Sequence, residues 1–130
     1  MAIRKLSKKK AICGKLERLS KEYMYLRDGR KCVVCGKAEH LQWGHVFSRR
    51  IYATRYDPEN YFVQCAGCNL RHTYDPLVYY DWYKQKFGVE KFDNLYIKWK
   101  QSSKTSLQDL KNQVDYLENL IHEHKSSKEN

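Results

Sequence analysis

Two pairs of cysteines constrain the fold of this 130-residue chain more than any other feature of its sequence. Cys32 and Cys35 form one C-x-x-C pair, and Cys65 and Cys68 form a second. Such pairs in one small domain supply the four thiolates that a tetrahedral structural Zn²⁺ requires, although two unrelated redox or buried pairs would give the same spacing. We therefore predict a structural zinc site, which would hold the fold together and take no part in chemistry. The fifth cysteine, Cys13, is interpreted as a small apolar residue of a helix.

Charge and hydropathy narrow the functional class. Lys and Arg number 25 against 15 Asp and Glu, which gives a net charge of +10. No stretch approaches the ~18–20 apolar residues that cross a bilayer, so no membrane association is expected. The basic first ten residues lack the apolar block of a secretory signal, which favours a cytoplasmic location. A compact basic domain typically binds a polyanion, most often nucleic acid, although a merely soluble basic protein would show the same composition.

The periodicity of apolar residues divides the chain into three parts. These are a basic N-terminal helix within 1–29, a cysteine-bearing core with following helices over 30–101, and a C-terminal helix within 102–130. Short strands are predicted at Leu41–Val46 and Tyr61–Gln64. Helices are predicted over Lys9–Asp28, Leu70–His72, Pro76 to Gly88, Val89–Lys100, and from Ser106 onward.

The C-terminal helix carries a heptad seam after a Ser106–Asp109 capping box. We expect this seam to pack either on the N-terminal helix, whose seam has the same period, or on a second subunit in a homodimer. Lys125–Asn130 is predicted to be a polar tail. The seam consists of Leu107, Leu110, Val114, Leu117 and Ile121.

Three polar residues stand at informative intervals around the cysteine pairs. His45 lies near the end of the first predicted strand, Asn60 precedes the second, and Asn69 directly follows Cys68. This spacing resembles the HNH (ββα-metal) nucleases, in which two strands and a helix clasp one Mg²⁺. The resemblance implies an α+β fold with a small zinc-bound ββα-metal core flanked by α-helices.

The residue types suit phosphodiester hydrolysis. A neutral imidazole is an appropriate base for water near pH 7, and His45 is the candidate. Mg²⁺ or Mn²⁺ prefers oxygen ligands, and the amide oxygen of Asn69 is the candidate donor. Asn60 would tie down the intervening loop and orient His45. The alternatives are a core histidine for His45, a turn or cap residue for Asn60, and a helix cap for Asn69.

A longer run of motifs is similar to the lambdoid phage NinG family, also called Rap, over about 27–99. The similarity implies a recombination endonuclease that cuts branched DNA such as D-loops and Holliday junctions, inside the host cell. Phage T4 endonuclease VII, a dimer acting on junctions, is similar in having two C-x-x-C pairs with an Asn after the last Cys. The motifs are Gly44-His45-Val46-Phe47-Ser48-Arg49, Thr54-Arg55-Tyr56-Asp57, Asn60 and Gln64-Cys65-Ala66-Gly67-Cys68-Asn69.

One position departs from the nuclease pattern. Many HNH enzymes carry an acidic metal ligand immediately before the catalytic histidine, and here that position is Gly44. The second protein ligand is therefore unassigned, with His72 the nearest substitute and Asp57 less favoured. The glycine also motivates a rival hypothesis, a non-catalytic zinc module that binds DNA or a recombination protein. An RNA-directed HNH protein is a third and weaker hypothesis.

Basic side chains near the candidate base are predicted to contact DNA. Arginine binds phosphate through two parallel hydrogen bonds, whereas lysine acts as a point charge. A solvated helix face is the alternative for the lysines. The predicted contacts are Arg49, Arg50 and Arg55 beside His45, and Lys8, Lys9, Lys10 and Lys15 in the N-terminal helix.

Overall fold

The structure, a computed structural model, describes residues 2–101 and 104–129. It is rich in helix, with one small antiparallel sheet, and the predicted α+β class is confirmed. Its elements in chain order are α1 (Ala2–Asp28), β1 (Leu41–His45), α2 (Tyr52–Arg55), a 3₁₀ turn (Pro58–Asn60), β2 (Tyr61–Cys65), α3 (Ala66–Tyr74), α4 (Leu77–Phe87), α5 (Val89–Gln101) and α6 (Leu107–Glu129).

The sheet and the helix that follows it form one continuous unit. Strands β1 and β2 pair antiparallel, with His45 opposite Tyr61 and Leu41 opposite Cys65. Every residue of β2 is buried, which agrees with its run of apolar side chains. Helix α3 starts at Ala66, directly after β2, and is longer than the predicted Leu70–His72. The order strand–strand–helix therefore arises without any linker between β2 and α3.

The end of α1 is fastened to the outer edge of β2. The backbone turns at Gly29, whose φ of 77° is the left-handed conformation that glycine adopts readily after a helix. Just before it, the Asp28 carboxylate accepts a hydrogen bond from the N–H of Val63 at 3.1 Å. The Arg27 guanidinium donates to the carbonyls of Pro58 and Tyr61, both at 2.6 Å. This pair of side chains satisfies backbone groups that an edge strand would otherwise expose.

Helix α6 packs along α1 of the same chain. Of the predicted seam, Leu110, Val114, Leu117 and Ile121 are buried in one cluster with Leu16 and Leu19 of α1. Of the two partners expected for the seam, the structure thus provides α1; the homodimer stays a prediction. The predicted polar tail from Lys125 is wrong as far as Glu129, because the helix continues to that residue. Asn130 lies outside the described residues.

Aromatic side chains fill a second core between the sheet and helices α4 and α5. Tyr79 and Tyr83 of α4 are buried there with Phe62 of β2 and with Phe92 of α5. Leu95 of α5 is buried with them, whereas Val89 and Tyr96 of the same helix are exposed. Helix α4 begins one residue after Pro76, which occupies the N-cap position. Within the described residues, no helix is long and apolar enough to span a membrane.

The packing of α6 on α1 predicts a large loss of stability when the seam is truncated. Leu110 is fully buried, so Leu110→Ala should lower the free energy of unfolding by about 3 kcal/mol. Asn119→Ala, at an exposed position of the same helix, should change it by less than about 0.5 kcal/mol. Urea denaturation of the two variants measures both values. Equal, small effects would show that α6 does not pack on α1 as described.

Candidate functional site

The four cysteines of the two C-x-x-C pairs meet in space. Their sulfur atoms all lie within 4.8 Å of one another, with Cys35 Sγ and Cys65 Sγ 3.6 Å apart. The first pair sits on a tight turn in which the N–H of Gly36 donates to the carbonyl of Cys32 at 2.9 Å. These separations suit four sulfurs around one ion at about 2.3 Å each. The cluster is therefore close enough to bind a metal ion, and its all-sulfur donor set fits zinc.

The surroundings of the cluster shift the pKa values of two of its thiols in opposite directions. Burial raises the pKa of the Cys32 thiol, but backbone N–H groups of Cys35, Cys65 and Val34 outweigh this effect and lower the pKa to about 7. Burial and the neighbouring thiols raise the pKa of Cys68. Four thiolates so close together repel one another unless a cation lies between them, so the arrangement is suited to a divalent ion.

A second feature is a cleft of about 670 Å³ that runs along β1. Helix α1 forms one wall, and helix α3 forms the other together with the segment after β1. Two predicted catalytic residues, His45 and Asn69, lie in this cleft, and so does the predicted DNA contact Arg49. The lining residues are Glu17, Lys21, Tyr25, Leu41, Gln42, Trp43, His45, Ser48, Arg49, Asn69 and Thr73.

His45 is held as a neutral imidazole. Its Nε2 lies 2.8 Å from the carbonyl oxygen of Arg55, to which it must donate, so Nδ1 is the basic nitrogen. The ring of Trp43 packs edge-on against it at 4.3 Å. Burial lowers the pKa of His45 to about 4, with a further contribution from the positive charges of Arg49 and Arg55. At pH 7 the imidazole is therefore neutral, with its one proton on Nε2.

Asn60 acts on this histidine through the backbone. Its side chain is fully buried and accepts a hydrogen bond from the N–H of Phe47 at 2.9 Å. The same amide donates to the carbonyls of Phe47, at 3.1 Å, and Thr54, at 2.9 Å. Thr54 precedes Arg55, whose carbonyl binds His45. Asn60 is not among the residues lining the cleft, so its place in the structure is that of a positioning residue.

Helix α3 contributes two polar side chains to the cleft. Asn69 donates from Nδ2 to Gln42 Oε1 at 2.7 Å, so its amide oxygen is the atom that it would offer to a cation. Thr73 lies one helical turn further on and lines the same cleft. Thr73 was not predicted from the sequence because the predicted helix covers only Leu70–His72. A helix started at Ala66 would have put Asn69 and Thr73 on one face.

The two substitutes considered for a second metal ligand lie elsewhere. His72 donates from Nε2 to the carbonyl of Val46 at 2.8 Å and borders a separate cavity of about 90 Å³. It therefore fastens α3 to the end of β1 without entering the cleft. Asp57 caps the N–H of Glu59 and binds Lys98 at 2.6 Å. Neither residue lines the cleft that contains His45.

Steric crowding explains why position 44 is a glycine. A Cβ at this position would lie 2.3 Å from Oε1 of Gln64, a contact that real structures do not show. The Gln64 side chain, itself only 1% exposed, fills the space that a residue before His45 would need. An acidic metal ligand therefore cannot stand at position 44 unless Gln64 moves.

Of the predicted basic contacts, Arg49 is the one that the lining of the cleft includes. Arg49 lines it and Arg50 is exposed beside it, whereas the Arg55 guanidinium lies over the rings of Tyr52 and Tyr56. Lys21, which was not predicted as a contact, also lines the cleft.

The N-terminal lysines differ in their surroundings. Lys8 and Lys10 are exposed. Lys9 lies over the Tyr52 ring, 4.6 Å from its centroid, and Lys15 lies 3.9 Å from Glu118.

Comparison with known proteins places this architecture in a family. Searches of curated proteins and of solved structures gave no significant match. A family model described as bacteriophage lambda NinG protein matches residues 2–127, nearly the whole chain. The match includes α1, the sheet with its cysteine cluster, and α6 to within two residues of its end. The chain therefore belongs to the NinG family of phage recombination-related proteins.

Proposed function

We propose that this protein is a zinc-stabilised, metal-dependent endonuclease that hydrolyses phosphodiester bonds in branched DNA. The observation that carries the proposal is the cleft in which a neutral histidine, an amide oxygen and an arginine lie together. Branched DNA as the substrate follows from the resemblance to recombination endonucleases of the NinG and endonuclease VII type. The net charge of +10 supports a polyanionic substrate.

The residues of the cleft would act in sequence on one phosphate. Arg49 and Lys21 attract and hold the DNA backbone. Nδ1 of His45 takes a proton from a water molecule, whose oxygen bonds to phosphorus while the ester bond to a sugar oxygen breaks. Asn60 keeps the loop that holds the ring of His45. Asn69 would supply an oxygen ligand, and Mg²⁺ or Mn²⁺, when bound, supplies positive charge that stabilises the phosphate and the leaving oxygen.

The proposed zinc acts on the fold and only indirectly on the cleft. It would be held by Cys32, Cys35, Cys65 and Cys68, which all four contribute sulfur, so no coordination position stays open for substrate. Since Asn69 directly follows Cys68, a fixed Cys68 fixes the first turn of α3 and the position of the Asn69 amide.

A non-catalytic DNA-binding module is the second candidate. The closed position at Gly44, where an acidic ligand would stand in many HNH enzymes, is the observation that favours it. Incubation with junction, flap, linear duplex and single-stranded DNA, with and without Mg²⁺, separates the two functions. Binding without nicking on every substrate would favour the module.

Removal of the proposed base should stop cleavage without disturbing the fold. We expect His45→Ala to lose cutting by at least about 100-fold, because general-base catalysis contributes typically 10²–10⁴-fold. Zinc content and DNA affinity should stay close to those of the wild type. His122→Ala, at an exposed position of α6, is the matched control and should cut normally. Undiminished cutting by His45→Ala would remove His45 from the mechanism.

The neutral state of His45 can be measured directly. Its buried imidazole should not titrate between pH 7.5 and 5.5 in a ¹³C-resolved NMR titration, since its pKa is lowered to about 4. An unperturbed histidine titrates near pH 6.5. Because the unfolded chain binds this proton more readily, His45 should destabilise the fold progressively as the pH falls from about 6.5 towards 4. A midpoint near 6.5 would show that the ring is solvated.

The zinc proposal is tested by serine variants of two cysteines, one inside the cluster and one, Cys13, outside it as the control. Cys65→Ser should abolish stoichiometric zinc and unfold the core, because the metal contributes folding free energy. Cys13→Ser should retain one zinc per chain, since Cys13 packs against the α1–α6 core, away from the cluster. Atomic absorption gives the zinc content and circular dichroism gives the fold. Full zinc content in Cys65→Ser would contradict a four-sulfur site.

A further inference from the structure

On the face of α1 that borders the cleft, side chains lie close to those of β1. Tyr25 packs in one cluster with Leu41, and Lys21 Nζ lies 5.9 Å from the ring of Trp43. Four residues of helix advance about 6 Å, and two residues of strand advance about 6.6 Å. One turn before Lys21 on the helix is Glu17, and two residues after Trp43 on the strand is His45. Glu17 and His45 both line the cleft, one from the helix and the other from the strand.

Glu17 is also chemically distinct among its neighbours. Within the described part of the chain, it is the one carboxylate among the residues that line the cleft. Asn69 and Thr73 bring neutral oxygens from the opposite wall. The position before His45 is closed by the Gln64 side chain, so an acidic ligand has to come from another element.

We propose that Glu17 is the acidic ligand of the catalytic cation, supplied by α1 in place of the residue missing at position 44. The inference rests on the proposed nuclease function and adds a ligand to it. The Glu17 carboxylate and the amide oxygen of Asn69 would hold a divalent cation in the cleft that His45 also lines. Mg²⁺ and Mn²⁺ take carboxylate and amide oxygens together with water, which is the donor set that these two walls offer.

The ion pair that Glu17 forms with Lys21 is weak enough to leave its carboxylate available to a cation. Its carboxylate lies 3.9 Å from Lys21 Nζ, one helical turn away, and both side chains are nearly half exposed. Exposed pairs of this kind stabilise a helix by only about 0.3–0.5 kcal/mol, so a cation would displace the lysine readily. Lys21 would then be free to contact the phosphate that enters the cleft.

Cation binding tests the assignment apart from catalysis. Zinc-loaded protein is titrated with Mn²⁺, and free Mn²⁺ is followed by electron paramagnetic resonance. Glu17→Gln should weaken Mn²⁺ binding by at least about tenfold, because loss even of a group that only orients a ligand typically costs that much. Glu17→Asp, which keeps the carboxylate, should bind more tightly than Glu17→Gln. Zinc content and circular dichroism establish that each variant is folded.

Glu22→Gln is the matched control. Glu22 lies on the same helix but outside the cleft, where it pairs with Lys125 of α6 at 3.4 Å. It should leave Mn²⁺ affinity unchanged. Equal affinity of Glu17→Gln and wild type, or equal weakening by both Gln variants, would overturn the role of Glu17. If wild type cuts DNA and binds Mn²⁺ while Glu17→Gln does the same, only this assignment falls. If wild type neither cuts nor binds Mn²⁺, the proposed nuclease falls with it.

Discussion

The convergence of four sulfur atoms is the constraint on which the rest of the structure depends. Cys65 ends β2 and Cys68 lies in the first turn of α3, so the cluster sits at the junction of strand and helix. A cation held there fixes the angle at which α3 leaves the sheet. Asn69 and Thr73 reach the cleft only from that angle, and the bond from His72 to the carbonyl of Val46 secures it from the other side. A metal site of purely structural kind would thereby determine the geometry of the cleft.

The neutral state of His45 arises from the burial of its ring and not from the cysteine cluster. Exclusion of water keeps the imidazole neutral, and the carbonyl of Arg55 fixes which nitrogen carries the proton. That carbonyl belongs to the last residue of α2, in the connection between β1 and β2, and the buried amide of Asn60 holds this connection by three hydrogen bonds. A loop without such an anchor would let the ring rotate and gain water, and its pKa would return towards the usual value. The basicity and the orientation of His45 therefore both depend on burial of the polar side chain of Asn60.

The sequence allows the local features of this fold to be predicted better than its tertiary neighbours. The cysteine pairs, the seam of α6 and the loop-anchoring role of Asn60 follow from spacing and residue type, which act over short distances or through a single ligand set. His72 was considered as a metal ligand because the predicted helix began four residues too late. Without the correct start of α3, the direction of each of its side chains cannot be worked out. Glu17 was missed for a stronger reason. Its place in the lining of the cleft depends on how α1 packs against the sheet, and no local pattern in either segment contains that information.

The same packing explains how α1 can belong to both the cleft and the core. Leu16 and Leu19 of α1 are buried against α6, and this seam fixes the rotation of α1 about its own axis. Glu17 and Lys21 project from a neighbouring strip of the helix, so the seam determines that they face β1 and the cleft. At its other end, α1 is fastened to β2 by Arg27 and Asp28, which fixes the helix along its length. A change in the α1–α6 seam should therefore move a wall of the cleft, although none of the described side chains of α6 lines it.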